Sequence, residues 1–356
     1  MQTTKAMESC EALVTRMRGS TWARYPARKR SLIVDEVFYY WRARGFPYYQ
    51  ITDRQLTQEF ARLVAKDWRA VFEGNDLRAS NIGLRLANSF QPSMWDTKVN
   101  RYRSPMEVFS SDELLRSAIE RSLTIWPDRF GANASCLRRI LKSYPGAASV
   151  SNYRPMIAKA VITKYSPEHG RVVDFSAGYG GRLLGALAAG RSYLGIEPNR
   201  AQVLGFRRMV RALASANFSL PKMTILQGCA EQKLPNIRGA SADLVFSSPP
   251  FFNWEHYSHS RTQSFKRYPE YDLWESQFLW PAVAQSFRVL KPRGYLVLNA
   301  SNGNRLPSAS HVKELGARAG FKLQSVGQMM FPKLPYLHPR NGGLVKSELL
   351  LVFKKV

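Results

Sequence analysis

The sequence predicts an α/β fold: a Rossmann-like, mostly parallel sheet of seven strands, preceded by a mainly helical N-terminal domain. Three observations predict it. Beyond residue 150, short apolar runs alternate with longer amphipathic segments, the pattern of repeated β-α-β units. One of those runs ends in a glycine-rich turn that opens a helix, VVDFSAGYGG at 172–181. Before residue 150 the apolar spacing is helical and no such alternation occurs.

Within the first 150 residues, helical spacing covers 31–44, with Ile33, Val34, Val37, Phe38 and Trp41 on one face, and then 53–71 and 112–125. At Pro145-Gly146-Ala147-Ala148-Ser149 the composition turns small and loop-like. This sets a boundary between a domain at 1–150 and a second at 151–356. Strands follow at 171–175, 192–197, 223–227, 242–247 and 294–299, then near 323–329 and 348–354, with helices over 181–189, 199–214, 273–289 and 310–319. A doubly wound sheet binds ligands beyond the carboxyl ends of its strands. The site is therefore expected at 174–181, 197, 228–231 and 247–254.

Charge points to the partner. The chain has 356 residues, with 52 Lys+Arg against 26 Asp+Glu, a net charge of +26. An excess of this size favours polyanions, nucleic acid first. The basic residues are spread over both halves, +9 in 1–150 and +17 in 151–356, whereas a membrane-surface protein concentrates them in one run or helix. No apolar run is long enough for a membrane span, and the N-terminus lacks the apolar core of a secretory signal, so an intracellular, cytoplasmic setting is expected. Cys10, Cys136 and Cys229 show no metal-ligand or disulfide spacing, and His256-x-x-His259 has no cysteine nearby, so no metal is expected.

The turn at 174–181 approaches a ligand through small residues: Ser176, Ala177, Gly178 and Gly180. It does not complete a dinucleotide fingerprint, because Leu183 stands where the third glycine belongs, and no P-loop motif occurs anywhere. Instead an acid precedes the glycines, Asp174, and another ends the next strand, Glu197. Glu197 suits a ribose diol, and Asp174 a cationic aminoacyl group. VVDFSAGYGG followed by YLGIEPN resembles the first two motifs of class I S-adenosylmethionine-dependent methyltransferases, and QGCAEQ at 227–232 resembles their third-strand turn. There Cys229 stands where the family usually has an acid facing adenine, with Ala230 beside it and Glu231 next. Asn152-Tyr153-Arg154-Pro155 is similar to the aromatic-proline motif that, in amino-methyltransferases, packs on the methionine end of the cofactor. Arg288 to Tyr295 resembles the turn into the fifth strand, with Arg293 where glycine is usual. The resemblance spans 150–356 and implies S-adenosylmethionine as cofactor, bound by Tyr153, Pro155, Asp174, Ser176, Ala177, Gly178, Gly180, Glu197, Cys229, Ala230 and Ser248.

The fourth strand ends in Ser247-Ser248-Pro249-Pro250-Phe251-Phe252. Two prolines fix an extended turn that offers carbonyls without amide hydrogens. An exocyclic base amine is a poor nucleophile because its lone pair is delocalised into the ring. If Ser248 Oγ and the Pro249 carbonyl accept its hydrogens, the nitrogen pyramidalises and aims the lone pair at a methyl donor. Phe251, helped by Phe252 or Trp254, is expected to stack on a flipped-out base. This stretch resembles the catalytic motif of DNA amino-methyltransferases, with Ser248, Pro249, Pro250 and Phe251 in its four places. Serine at the first place resembles the cytosine-N4 enzymes more than the adenine-N6 enzymes. Methylation at cytosine C5 is disfavoured because none of the three cysteines follows a proline, and the zinc-deaminase ligands are missing.

Residues 253–268 interleave basic and aromatic side chains, and Trp254, Tyr257, Arg261, Lys266 and Arg267 are expected to grip the nucleic acid. A second basic loop, 332–346, holds Lys333, His338 and Arg340; in the N-terminal domain the densest cluster is Arg24, Arg28, Lys29 and Arg30. No large recognition domain lies between the cofactor and catalytic turns, so sequence reading falls to the N-terminal region, these loops or a partner subunit. The expected activity is methylation of a DNA base amine, cytosine N4 before adenine N6, in a phage-borne or nucleoid-associated setting. An RNA base methyltransferase and a non-catalytic nucleic-acid-binding subunit are the alternatives.

Overall fold

The computed structural model describes residues 22–126, 132–301, 306–330 and 348–356. The basic loop at 332–346 lies outside them, as does Cys10. The chain divides into two compact units. Of the described residues, the first takes 22–49, 94–126 and 132–150; the second takes 50–93, 151–301, 306–330 and 348–356. The sequence boundary at 150 coincides with one border, but Gln50–Ser93 packs with the sheet rather than with the N-terminal residues.

The first unit is built on the helices Ala27–Arg44, Pro105–Ser110, Asp112–Ile125 and Ala134–Leu141. Ser104 and Ser111 cap two of them through their side chains, and Ser104 with Glu107 forms a reciprocal capping box. Val37, Phe38, Trp41, Leu115, Ile119, Leu137 and Ile140 are buried in this unit.

The second unit holds the sheet. Its strands are β1 (Phe72–Glu73), β2 (Asp76–Arg78), β3 (Arg171–Asp174), β4 (Ser192–Glu197), β5 (Met223–Gln227), β6 (Ala242–Ser247), β7 (Leu290–Ser301), β8 (Phe321–Met330) and β9 (Glu348–Lys355). They lie in the order β1-β2-β8-β9-β7-β6-β3-β4-β5, nine strands where seven were expected. The run from β5 to β7 is parallel, and β9 is antiparallel to both of its neighbours. The two additional strands come from the region read as helical, which is therefore only partly so. Helix Asp53–Ala65 ends earlier than the spacing predicts, and Gly74 and Asn75 then turn β1 into β2. Gly74 has φ 62°, which a tight hairpin turn requires. The hairpin closes on β8, where a Cβ on Gly327 would lie 2.0 Å from the Asn75 carbonyl oxygen.

Helix Asp53–Ala65 is held by a buried cation: Lys159 Nζ donates to the carbonyls of Leu63 (3.0 Å), Val64 (2.6 Å) and Lys66 (2.7 Å), the end that the helix dipole makes negative. The helix predicted over 273–289 is interrupted. It runs as Tyr271–Trp274, a π-turn at Glu275–Leu279, and Trp280–Val289. Pro281, which has no N–H to donate into the preceding turn, explains the change of hydrogen bonding. No helix among the described residues is long and apolar enough to cross a membrane.

The glycine turn is fixed from behind. Asn152 Oδ1 accepts from Gly181 N (3.0 Å), and its Nδ2 donates to the carbonyl of Tyr179 (3.0 Å) and to Asn88 Oδ1 (3.1 Å). A Cβ on Gly181 would fall 1.8 Å from the Tyr153 carbonyl oxygen, so this contact admits no side chain. Gly181→Ala is expected to cost at least about 3 kcal/mol. For a unit of this size that lowers Tm by about 6–12 °C, measured by thermal unfolding.

Candidate active site

The chain runs from β3 outward through β4 to β5, then returns to β6 on the other side of β3. The β3/β6 gap is thus the switch point of the sheet, where two connections leave in opposite directions and open a crevice. A cleft of about 750 Å³ lies there, lined among others by Ser176, Gly178, Glu197, Gln202, Cys229 and Ser248. Its walls come from the turns after β3, β4, β5 and β6, together with residues 255–265.

Glu197 is a buried polar group of the wall. It is 6% exposed; its Oε2 accepts from Gly178 N (2.9 Å) and its Oε1 from Asn199 N (2.9 Å). Gln202, with its amide nitrogen turned toward the carboxylate, donates to Oε1 (2.8 Å), to Oε2 (3.1 Å) and to the Gly178 carbonyl (3.0 Å). Burial pushes the Glu197 carboxyl up to about 8, against the pull of the Asn199 and Gly178 amides. The unfolded chain releases this proton near 4.3. The stabilisation from this proton is full below that value, declines as pH rises toward about 8 and is gone above it.

Asp174 does not face the cleft. It is 0% exposed, and both oxygens are occupied: Oδ2 by Arg182 Nε (2.7 Å) and the Tyr193 hydroxyl (2.7 Å), Oδ1 by Ser247 Oγ (2.8 Å) and Ser176 N (3.2 Å). Arg182 also donates to the Ser176 carbonyl. The expectation that Asp174 meets a cationic ligand is therefore corrected: Arg182 neutralises it, and its bond from Ser247 ties the ends of β3 and β6 together. Tyr153 and Pro155 likewise stand outside the lining. The Tyr153 ring meets Phe246 edge-on at 5.4 Å, and Pro155 starts the buried helix Pro155–Tyr165. Ala177 and Gly180 shape the turn without lining the cleft; Gly180 has φ 81° and packs against Phe206. Ser176, Gly178, Glu197, Cys229, Ala230 and Ser248 do line it.

At the catalytic turn, Ser248 and Pro250 line the cleft, whereas Pro249 is buried and Phe251 is 8% exposed and absent from the lining. Phe252 turns inward at φ 41° onto Tyr271 (5.4 Å) and Trp274 (5.6 Å). The aromatic rings in the wall are Phe175, Tyr257, Phe265 and Phe278. Of these, Tyr257 and Phe265 belong to the loop after the turn, and Phe251, expected to stack on a base, is not in the wall.

That loop is organised on Gln263, 7% exposed, which accepts from Tyr257 N (2.8 Å) and donates to the Ser258 carbonyl. Lys266 also reaches the Ser258 carbonyl, at 3.1 Å. Arg267 is committed inside the protein: it donates to Cys229 Sγ (3.1 Å) and pairs with Glu231 (3.4 Å). Of the three cations assigned to phosphate here, Arg261 alone is exposed with no ion pair or hydrogen bond among the described residues. Trp254 is half-buried. Arg28 and Lys29 are exposed and Arg30 half-buried on helix Ala27–Arg44, in the first unit. Among the described residues no group of three or more His, Cys, Asp or Glu is placed to hold a metal ion.

The cleft's electrostatics run against those of the whole chain. Its lining contains three carboxylates, Glu197, Glu231 and Glu255, and no Lys, Arg or His. Sequence reasoning missed Asn199, Gln202, Glu255 and Phe265. Gln202 carried a signal, a polar side chain on the apolar face of helix Arg200–Ser215, where it is 1% exposed.

No protein-family model matches the chain, and no curated protein matches it. Among solved structures it is similar to a SAM-dependent methyltransferase from Agrobacterium tumefaciens, at 16% identity and a TM-score of 0.42, over 60% of this chain and 66% of that one. It is also similar to a SAM-dependent methyltransferase from Methanosarcina mazei (15%, TM-score 0.37, 55% of this chain and 97% of that one). A third is a precorrin-6y C5,15-methyltransferase from Geobacter metallireducens (14%, TM-score 0.37, 56% and 87%).

Proposed function

We propose that this cleft binds S-adenosylmethionine and that the chain methylates the exocyclic amine of a nucleic-acid base, in DNA, cytosine N4 before adenine N6. The observation that carries the reading is the acidic lining of the cleft in a protein of net charge +26. A phosphate-bearing cofactor meets no Lys, Arg or His in this lining, whereas a sulfonium ligand with a cationic amine needs none and meets carboxyl groups instead. Glu197, already turned inward by Gly178 and Asn199, accepts from a ribose diol; Ser176, Gly178, Cys229 and Ala230 supply the surrounding wall.

Bound there, S-adenosylmethionine supplies a methyl group on a cationic sulfur. The protein's part is orientation. Ser248 Oγ and the carbonyls of the Ser248-Pro249-Pro250 turn accept the hydrogens of the incoming amine, and Tyr257 and Phe265 hold the base by its faces. Only a neutral base enters; the phosphates stay on the basic exterior, which the acidic lining enforces.

Incubating the protein with methyl-labelled S-adenosylmethionine and duplex DNA, single-stranded DNA or total RNA tests the acceptor class. Label in DNA supports the reading. Label confined to RNA replaces the acceptor, and label in neither sinks it.

Proton release gives a second test. A ribose diol favours the ionised Glu197, whose carboxyl is held near 8 without ligand. Cofactor binding is therefore expected to release a proton between about pH 5 and 8. Calorimetry at pH 7 in buffers of different ionisation enthalpy reads that release, which Glu197→Gln abolishes.

A further inference from the structure

We propose that a second cleft, at the amino ends of β3 and β6, holds the phosphodiester backbone of a nucleic-acid strand. It arises from a break in register. Ala242 pairs with Leu290, but Leu244 pairs with Tyr295, so residues 291–294 bulge from the ladder. With residues 164–167 and Asp243 they enclose an open cleft of about 770 Å³.

Three cations line it, Lys164, Lys291 and Arg293, against one carboxylate. Asp243 is already committed: Oδ1 pairs with Lys291 at 2.7 Å, and Oδ2 accepts from Arg171 N at 2.8 Å. Lys164 and Arg293 make no ion pair among the described residues and are exposed. Arg293 has φ 65°, a conformation that glycine adopts without strain and arginine does not. The position thus keeps a cationic side chain where the backbone alone favours none. Tyr165 and Tyr295 form one wall, their rings 5.2 Å apart and tilted by 54°. Lys164 Nζ lies over the Phe72 ring (4.2 Å) and near the Tyr165 ring (5.4 Å) and keeps its charge exposed; exposed cations beside aromatic faces suit a nucleic-acid strand.

This cleft and the candidate active site lie at opposite ends of β6, whose six residues span about 20 Å. A strand stacked at about 3.4 Å per nucleotide needs about six nucleotides to span that distance. The inference rests on the nucleic-acid part of the proposed function and not on methyl transfer.

The test is fluorescence anisotropy with the full chain, without cofactor, on labelled single-stranded 20-mers of DNA and RNA across a range of salt. Arg293→Gly and the double variant Lys164→Gln/Arg293→Gly are compared with wild type. The double variant is expected to weaken binding about tenfold and to lower the slope of log affinity against log salt by about 0.7 per cation removed. Arg293→Gly should melt at or above the wild-type temperature, because it relieves the left-handed backbone; this separates lost binding from misfolding. Unchanged affinity and slope in the double variant would overturn the proposal, as would displacement of the 20-mer by millimolar inorganic phosphate or nucleoside monophosphate at constant ionic strength. If cofactor binding and methyl transfer both fail while these losses are seen, the active-site reading falls and this one stands.

Discussion

Ser248→Ala is expected to lower methyl-transfer turnover by about 10²–10³-fold while leaving S-adenosylmethionine affinity within about threefold of wild type. The magnitude is that of removing one preorganised polar partner from a reacting centre, about 2.7–4 kcal/mol. Ser248 stands where β6 ends, in the cleft wall and ahead of two prolines, so its hydroxyl is held by a rigid backbone. The neighbouring Ser247 hydroxyl is spent on Asp174 at 2.8 Å and cannot replace it. Single-turnover kinetics with the cofactor bound in advance separates the two quantities. Loss of affinity in place of turnover would make Ser248 a cofactor contact and not the amine acceptor.

Glu197→Ala is expected to weaken S-adenosylmethionine binding by at least about 10²-fold. Two hydrogen bonds from a ribose diol to a carboxylate contribute about 1.5–3 kcal/mol each, and the variant also leaves the Gly178 and Asn199 amides without their acceptor. The fold should survive, because burial already disfavours the charge that is removed. Isothermal titration reads the affinity and a melting curve the fold. Unchanged affinity in a folded variant would remove Glu197 from the cofactor site.

Much of the sheet was legible because its strands are short, mostly apolar runs that end in turn residues: β4, β5 and β6 occupy the residues predicted for them. The hairpin of β1 and β2 was not, since strands of two and three residues carry no periodicity. The only local signal was the Gly74-Asn75 pair, a two-residue turn of the hairpin kind. The site was legible where backbone chemistry made it so: the glycine turn, Glu197 and the double proline all meet at one cleft. It was misread where tertiary pairing decided. Asp174 had the right position for a ligand, yet Arg182, eight residues on and in the first turn of the next helix, takes its charge. Nothing in the spacing of those residues announces a buried pair. Arg267 shows the same effect: a basic residue in an aromatic loop reads as a phosphate contact until Cys229 and Glu231 are seen beside it. The acidic lining of the cleft was hidden for a related reason, because Glu197, Glu231 and Glu255 come from three separate turns of a strongly basic chain.

The measurement that bears most directly on the central claim is nucleoside mass spectrometry of DNA after reaction with S-adenosylmethionine, with Ser248→Ala run alongside. The account predicts N4-methylcytosine, or failing that N6-methyladenine, present with wild type and lost with the variant. A methyl group on a ring carbon, on a sugar hydroxyl or on the protein itself, or no methylated product at all, would contradict it.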